Sequence, residues 1–335
     1  MTIKDLANLS GYAVGTVSRV LNNQPNVSAK ARARIIAIAQ EAGFELNSNA
    51  KNLKQQHSNS ILVLVRGVHN ALYSALVEQL QKLAANSPYV LELHYIDENT
   101  DEVRRAKQLV RELKPQGILF LGGTKARFQE HFGGIQIPAV LLTNSAAGLG
   151  FPNLSSVATD DRGAAAAAIR NLTENGHRKI AIIGGDREKA DTSRLRFEGC
   201  MEEFRRQGIE FDPQRYYQIE RYSYAEGYAA MARILRLAPE ITAVFAVSDV
   251  IAIGAARAIH DAGRQVPEDI SLVGFDGLPI CNYYQPRLTT MVQQTNFMAE
   301  TGFRLLDDAI RHGTAARHVL APSELSSGGS VRNIR

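Results

Sequence analysis

From Ser60 onward, the chain alternates short apolar runs with stretches of helical pattern. The predicted strands are at 61–65, 90–95, 118–121, 139–142, 179–183, 243–247 and 271–275. The predicted helices between them include 73–85, 101–113, 162–175, 193–207, 224–237 and 252–262. Strands that alternate with helices form parallel sheets covered on both faces, and 335 residues accommodate two such sheets. We therefore predict an α/β body of two parallel-sheet lobes, with ligands bound between them, beyond the carboxyl ends of the strands.

A small all-α head precedes this body. Its spacing predicts three short helices before residue 47, and the second, at 14–22, turns Val17, Val20 and Leu21 inward. Ser28 is the expected N-cap of the third helix. Two short helices joined by a turn that contains glycine are typical of the helix-turn-helix, whose second helix enters the major groove of DNA.

The net positive charge of the chain lies in this head. Residues 1–57 carry seven Lys and Arg against three Asp and Glu, which accounts for the whole net charge of +4. A basic head on a neutral body indicates a polyanionic partner at one end of the molecule. An ordinary solvated surface is the alternative, because the charge is small.

The segment TIKDLANLSGYAVGTVSRVLNNQPNVSAKARARI resembles the DNA-binding head of the lactose-repressor/galactose-repressor (LacI/GalR) family, for which TVSRVLN followed by NVS is specific. The resemblance implies that Val14 and Gly15 touch base edges and that Arg19 reads a base, most naturally guanine. It also implies that three polar residues mainly hold phosphates or the helix pair: Thr16, Ser18 and Asn22. Two departures bear on the operator sequence, since Ala13 replaces the usual capping serine and Gly15 has no side chain for readout.

The stretch LNSNAKNLK, at 46–54, resembles the hinge helix NxxAxxL of the same family. That hinge orders on DNA and presses a leucine into the minor groove, which kinks the duplex. Asn47, Ala50 and Leu53 match the pattern. The alternative is a flexible tether in which Leu53 packs on the body.

The strings ENGHRKIAIIGG, AVFAVSDVIAIGAARAIHDAGRQVPEDISLVGFDG and PRLTTM extend the resemblance to the effector domain of the family, which looks like a periplasmic sugar-binding protein. The resemblance implies crossovers between the lobes near 158–161, 288–293 and 319–322. The expected divisions are a head at 1–46, a hinge and linker at 47–59, an N-terminal lobe at about 60–159 and 293–319, and a C-terminal lobe at about 160–287 and 322–335.

The effector cleft is expected to use polar and aromatic side chains that mostly follow strands. By resemblance, Tyr73 stacks on the effector, Arg196 in RLRFEGC grips hydroxyls or a carboxylate, and Tyr222 is a second wall. Asp276 accepts hydrogen bonds from hydroxyls. The remaining candidates are Asn70, Ser248 and Asp249. Alternatives are a core position for Tyr73, an interlobe salt bridge for Arg196 and a helix cap for Asp249.

Several classes of function find no support in the sequence. It contains no GxGxxG, GxxxxGK[ST], GxSxG or HExxH string, and its two cysteines form no CxxC pair, so we expect no enzymatic activity, cofactor or metal. Gly122-Gly123 and Gly184-Gly185 are interpreted as strand-to-helix turns. No secretion signal or membrane-length apolar run occurs, which predicts a cytoplasmic protein without a membrane partner.

These observations predict a homodimeric transcription regulator, a repressor, that binds a palindromic operator and responds to a sugar or sugar derivative. Two alternatives keep the regulator but replace the sugar with a purine or nucleoside, or with a phosphocarrier protein as co-regulator. A solute-binding protein of transport type is the alternative from another class.

Overall fold

The computed structural model describes residues 3–21, 25, 27–42, 59–67 and 70–335. The chain divides into two compact units, Met1–Ser58 and Asn59–Arg335. Four predicted DNA contacts lie outside the described residues: Asn22, Asn47, Ala50 and Leu53.

Among its described residues, the first unit contains three helices: α1 (Ile3–Ser10), α2 (Val14–Leu21) and α3 (Ala29–Glu41). They enclose a small core made of Leu6, Ala7, Val17, Val20, Ile35 and Ala39. The predicted cap of α3 is present, because Ser28 Oγ accepts a hydrogen bond from the Ala31 amide at 3.3 Å.

The second unit is built from twelve strands and nine further α-helices within the described residues. The strands are β1 (Ser60–Arg66), β2 (Val90–Ile96), β3 (Gly117–Leu121), β4 (Ala139–Leu142), β5 (Leu154–Thr159), β6 (Ile180–Gly184), β7 (Tyr217–Ile219), β8 (Ala243–Ala246), β9 (Ser271–Asp276), β10 (Thr289–Gln293), β11 (His318–Ala321) and β12 (Ser323–Ser326). The helices are α4 (Ala71–Ala85), α5 (Glu102–Leu113), α6 (Lys125–His131), α7 (Asp161–Glu174), α8 (Asp191–Arg206), α9 (Pro213–Tyr216), α10 (Tyr224–Leu237), α11 (Asp249–Asp261) and α12 (Thr295–His312).

The strands form two six-stranded sheets, each of which is the centre of one lobe. The N-lobe sheet has the order β11-β5-β4-β3-β1-β2 and is parallel throughout. The C-lobe sheet has the order β12-β10-β9-β8-β6-β7, in which β12 is antiparallel to β10 and the other pairs are parallel. The two orders correspond strand for strand, so β4 and β9 occupy equivalent positions.

The continuous apolar runs of the strands follow from burial on both faces. In β1, Ile61, Val63 and Val65 belong to one core with residues of α4 and α12. The intervening Leu62 and Leu64 belong to a second core with residues of α5 and α6. The same double covering surrounds the C-lobe sheet, whose core is continuous across α7, α8, α10 and α11.

The chain passes between the lobes in three places. It leaves the N-lobe after β5, returns to it between β10 and α12, and passes again between β11 and β12. The second passage differs from the expected crossover at 288–293, because the structure assigns Thr289–Gln293 to a buried strand of the C-lobe sheet. This strand is short and rich in threonine and glutamine, so its apolar pattern is weak.

Candidate functional site

A cavity of about 350 Å³ lies between the carboxyl ends of the two sheets. Parallel strands of one sheet all end at the same edge, so residues that end or follow different strands converge there. Arg66 ends β1, Thr143 follows β4, Asp276 ends β9 and Gln293 ends β10, and all four line the cavity. The volume is within the range that small-molecule sites occupy.

Five of the seven predicted effector contacts line this cavity: Asn70, Tyr73, Arg196, Tyr222 and Asp276. Asn70 is also the N-cap of α4, where its Oδ1 accepts from the Leu72 amide at 3.1 Å. The structure therefore brings together most of the set that was predicted from the family resemblance and from positions after strands.

Ser248 and Asp249 do not line the cavity, which departs from the prediction. Both are buried at the start of α11. Asp249 Oδ2 accepts from the Leu278 amide at 2.7 Å, and its Oδ1 accepts from Thr290 Oγ1 at 2.6 Å. The carboxyl group therefore holds the turn after β9 in place, and burial raises its pKa to about 6.

Arg196 is held in a fixed orientation under the cavity. Its Nε donates to Asp161 Oδ1 at 2.8 Å, and its Nη1 donates to the Val247 carbonyl at 2.6 Å. The guanidinium carbon lies 3.7 Å from the centroid of the Phe275 ring. Burial alone would lower the pKa of Arg196, but the charge of Asp161, the neighbouring Tyr222 and Asp276 and the hydrogen bond to Asp161 together outweigh it, and the pKa is raised. The ion pair lies within the C-lobe, because α7 supplies Asp161 and α8 supplies Arg196.

Asp276 is the acceptor that faces this donor. Its Oδ1 accepts from Gln293 Nε2 at 2.7 Å, and Gln293 Oε1 accepts from Thr159 Oγ1 at 2.8 Å. Thr159 is the last residue of β5, so these bonds connect the carboxylate to two of the passages between the lobes. Burial raises the pKa of Asp276 to about 7, and repulsion from the Asp249 carboxylate raises it further, whereas the nearby charge of Arg196 lowers it without offsetting the burial.

Backbone strain is concentrated at this cavity. Thr143 has φ of 72° and Asp276 has φ of 118°, and these two residues hold equivalent places after β4 and β9. Within the described residues, Lys114 is the one other residue besides glycine with positive φ, and it caps the end of α5. Conformations of this kind cost about 1–3 kcal/mol and tend to occur at functional sites.

The two tyrosines contribute one ring from each lobe. Tyr73 donates to Thr143 Oγ1 at 3.4 Å, and Thr143 donates in turn to Asn144 Oδ1 at 3.2 Å. A Cβ at Gly122, which has φ of 81°, would lie 2.4 Å from the Tyr73 hydroxyl. The first glycine pair therefore makes room for Tyr73. In the C-lobe, the Tyr222 hydroxyl oxygen lies 3.3 Å from Ser193 Oγ.

Sequence reasoning missed nine polar residues that line the cavity: Arg66, Asp97, Glu98, Thr143, Asn144, Asp191, Thr192, Arg221 and Gln293. The rule that selected Asp276, a polar residue at the end of a buried apolar strand, also applies to Thr143-Asn144 after β4. Gln293 ends a strand that was not predicted, so that rule could not have selected it.

The head presents the predicted DNA contacts of α2 on its surface. Val14 is 45% exposed, Gly15 and Arg19 are exposed, and Thr16 and Ser18 are half-buried. Space around Gly15 is open, with nothing within 4 Å of a Cβ placed there. The Ala13 carbonyl accepts from the amides of Thr16 and Val17, so the backbone begins the helix without a side-chain cap at residue 13.

Two further classes of feature are absent from the part of the chain that the structure describes. No group of three or more His, Cys, Asp or Glu residues is placed to hold a metal ion. None of the helices is both long and apolar enough to cross a membrane.

Comparison with known proteins decides the family. The model for bacterial regulatory proteins of the lacI family matches residues 2–47, and that for the periplasmic binding protein-like domain matches residues 169–331. The HTH-type transcriptional regulator MalR of Clostridium butyricum is 35% identical over 339 aligned residues, which span all of both chains. The chain belongs to the LacI family.

Other LacI-family proteins match along nearly the whole chain. The HTH-type transcriptional repressor CytR of Escherichia coli (strain K12) is 31% identical, covering 99% of this chain and 96% of its own. A transcriptional regulator CelR–cellobiose complex has a TM-score of 0.71 at 26% identity, covering 98% of this chain and 99% of that one. The lac repressor dimer bound to operator has a TM-score of 0.79 at 23% identity, covers 99% of each chain and shares the fold. The protein is accordingly a DNA-binding transcription regulator of the helix-turn-helix type.

Proposed function

We propose that this LacI-family protein is a homodimeric repressor whose affinity for a palindromic operator is set by a sugar in the cavity between the lobes. The observation that carries the choice of ligand is the pairing of a fixed donor, Arg196, with a buried acceptor, Asp276, on one wall. Vicinal hydroxyl groups both donate and accept, so they satisfy such a pair together.

The charges around the cavity favour a neutral ligand with many hydroxyl groups. The charge of Arg196 is compensated by Asp161, and Arg66 is held by the Glu98 carbonyl and Thr124 Oγ1. Asp276 would repel an anionic group. The rings of Tyr73 and Tyr222 offer apolar surface for the C–H face of a sugar ring. The solved complexes of a related regulator with cellobiose, and of an Enterococcus faecium LacI-family regulator with ribose at 25% identity, support this class.

The head supplies the proposed DNA contacts. Val14 and Gly15 would approach base edges from the start of α2, and Arg19 would donate to a guanine. Thr16, Ser18 and Asn22 would hold phosphates or the helix pair. We further propose that Asn47, Ala50 and Leu53 form the hinge that widens the minor groove at the centre of the operator.

Exposed aromatic residues on the C-lobe support a dimer. Tyr224 and Tyr228 lie one turn apart on α10 and are 51% and 39% exposed, and Tyr283 is 84% exposed. Tyrosine is enriched in protein–protein interfaces relative to the rest of the surface. A symmetric dimer would present two heads to two operator half-sites.

The hydrogen bonds of Asp276 suggest how a ligand would change DNA affinity. Through Gln293 and Thr159, a ligand on Asp276 would alter contacts at two passages between the lobes. Coupling of about 1–3 kcal/mol would change operator affinity 5–150-fold.

A gel-shift titration at fixed, moderate salt tests the proposal. An operator would first be selected from random duplexes and then titrated with protein in the presence of cellobiose, maltose, ribose or a nucleoside. We expect a palindromic sequence and a 5–150-fold change in affinity with one of the sugars. A response to the nucleoside alone would replace the sugar with a nucleoside, and no retardation of any duplex would contradict the regulator itself.

A further inference from the structure

A hydrogen bond between helices joins the two lobes at the edge of the cavity, in addition to the bond from Thr159 to Gln293. The amide of Lys125, the first residue of α6 in the N-lobe, donates to Asp191 Oδ2 at 2.8 Å. Asp191 is the first residue of α8 in the C-lobe and lines the cavity. Its side chain is 21% exposed, so the bond is partly shielded from water.

The N-lobe does not cap this amide from its own side chains. Thr124 is at the N-cap position of α6, yet it makes no side-chain cap hydrogen bond. Its hydroxyl instead accepts from Arg66 Nη1 at 3.1 Å, while its own amide donates to Glu102 Oε1 at 2.7 Å. The residue type that would normally cap the helix is therefore used elsewhere, and the cap of α6 comes from the opposite lobe.

The same carboxylate also lies at the start of α8. The N-cap residue of α8 is Ala190, which has no side chain able to cap, and Asp191 supplies the negative charge of the first turn. A carboxylate near the amino terminus of a helix is stabilising, and here one carboxylate serves two helices from two lobes. This double role exists only while the lobes are together.

We propose that Asp191 is a latch that favours the closed arrangement of the two lobes. Opening the cleft would break this hydrogen bond, expose the Lys125 amide and the Asp191 carboxylate to water, and remove the cap of α6. The latch would raise the closed population before any ligand arrives, and a ligand that binds the closed form would then bind with higher apparent affinity. This inference concerns the body alone and depends neither on DNA nor on the identity of the ligand.

Distance measurements between spin labels test the latch in the full-length, ligand-free protein. Labels at Glu112→Cys in the N-lobe and Glu210→Cys in the C-lobe replace exposed residues away from the cavity, and Cys200 and Cys281 stay in place because both are buried. An excess of unlabelled chain keeps one labelled copy in each dimer. Loss of a cap of this kind predicts that Asp191→Ala shifts the closed-to-open ratio about fivefold toward open.

Arg194→Gln is the matched control. Arg194 Nη2 lies 3.3 Å from Asp191 Oδ1, so this variant removes a neighbour of the same carboxylate and leaves the bond from Lys125 available. We expect its distance distribution to match that of the parent. Asp191→Asn keeps an acceptor oxygen without the charge, and we expect an intermediate shift from it.

Two results would overturn the proposal. One is a distribution for Asp191→Ala and Asp191→Asn that matches the parent, and the other is an equal opening in Arg194→Gln, which would assign the effect to α8 alone. Because no DNA or sugar is present in these measurements, a failed gel shift would leave their interpretation unchanged.

Discussion

The two lobes share one strand order but contribute different chemistry to the cavity between them. Thr143 of the N-lobe directly follows β4, and Asp276 of the C-lobe is the last residue of β9, the equivalent strand. The C-lobe also contributes Arg196, held by its own Asp161, whereas Thr143 bonds to Tyr73 and Asn144, which are uncharged. Duplicated topology therefore fixes which positions reach the cavity, and in the proposed site the residue at each position would decide whether the lobe anchors a ligand or covers it.

The largest expected effect comes from breaking the anchor of the C-lobe. Arg196→Ala would leave Asp161 buried without its partner, and we expect the free energy of unfolding to fall by about 3–5 kcal/mol. Urea denaturation followed by circular dichroism measures this. Exchanging both partners for apolar residues, Arg196→Met with Asp161→Leu, should recover much of the lost stability. An Arg196→Ala variant as stable as the parent would contradict the conclusion that Arg196 and Asp161 form a buried ion pair.

The comparison of Asp276 with Thr143 is sharpened by truncating each residue to alanine. A hydrogen bond to a charged group contributes about 1.5–3 kcal/mol and a neutral one about 0.5–1.5 kcal/mol. We expect Asp276→Ala to weaken binding of the responsive sugar about 100-fold and Thr143→Ala to weaken it less than tenfold, as measured by calorimetry. Neither residue belongs to the head, so operator affinity without ligand should stay near that of the parent. Equal losses of sugar affinity in the two variants would contradict the idea that Asp276 holds the ligand more strongly than Thr143 does.

The same comparison predicts that sugar affinity depends on pH through Asp276 of the C-lobe. With a pKa of about 7, the Asp276 carboxyl is largely protonated at pH 6 and largely ionised at pH 8. A sugar hydroxyl donates to the ionised form, so affinity should rise about tenfold over this interval. The free energy of unfolding changes in the opposite direction. Because the pKa of Asp276 is higher in the folded state than in the unfolded state, the protein loses stability as pH rises through about 7. Calorimetry at both pH values measures the affinity, and Asp276→Asn should abolish most of the change.

Sequence reasoning was most successful where a pattern depends on local physics. All seven predicted strands are present, and all of them except the edge strand β2 are buried on both faces, which requires a continuous apolar run such as Ile61–Val65. It failed at β10, whose threonines and glutamine are buried through hydrogen bonds between distant segments, as in the bond from Thr159 to Gln293. Asp249 was placed in the cleft for its position after a strand, but the turn after β9, far along the chain, supplies its hydrogen-bond partners.

The smallest expected effect compares one histidine from each lobe under acid. His177 is fully buried in the C-lobe, where its Nε2 donates to the Arg332 carbonyl at 3.1 Å and its Nδ1 accepts from Thr242 Oγ1 at 2.9 Å. His318 begins β11 in the N-lobe, and its side chain is exposed. Burial lowers the pKa of both imidazoles, so the stability each contributes is present above pH 6.5 and is lost as pH falls through the lowered value.

Protonation of His177 would also remove the acceptor for Thr242, a hydrogen bond that contributes about 1 kcal/mol. We therefore expect the parent to lose stability between pH 7.5 and pH 5.5 and His177→Gln to lose about 1 kcal/mol less. His318→Gln should stay closer to the parent, because solvent screens the more exposed imidazole of His318. Urea denaturation at the two pH values measures the differences. An equal acid response in all three proteins would show that the tail segment around Arg332 does not depend on a neutral imidazole.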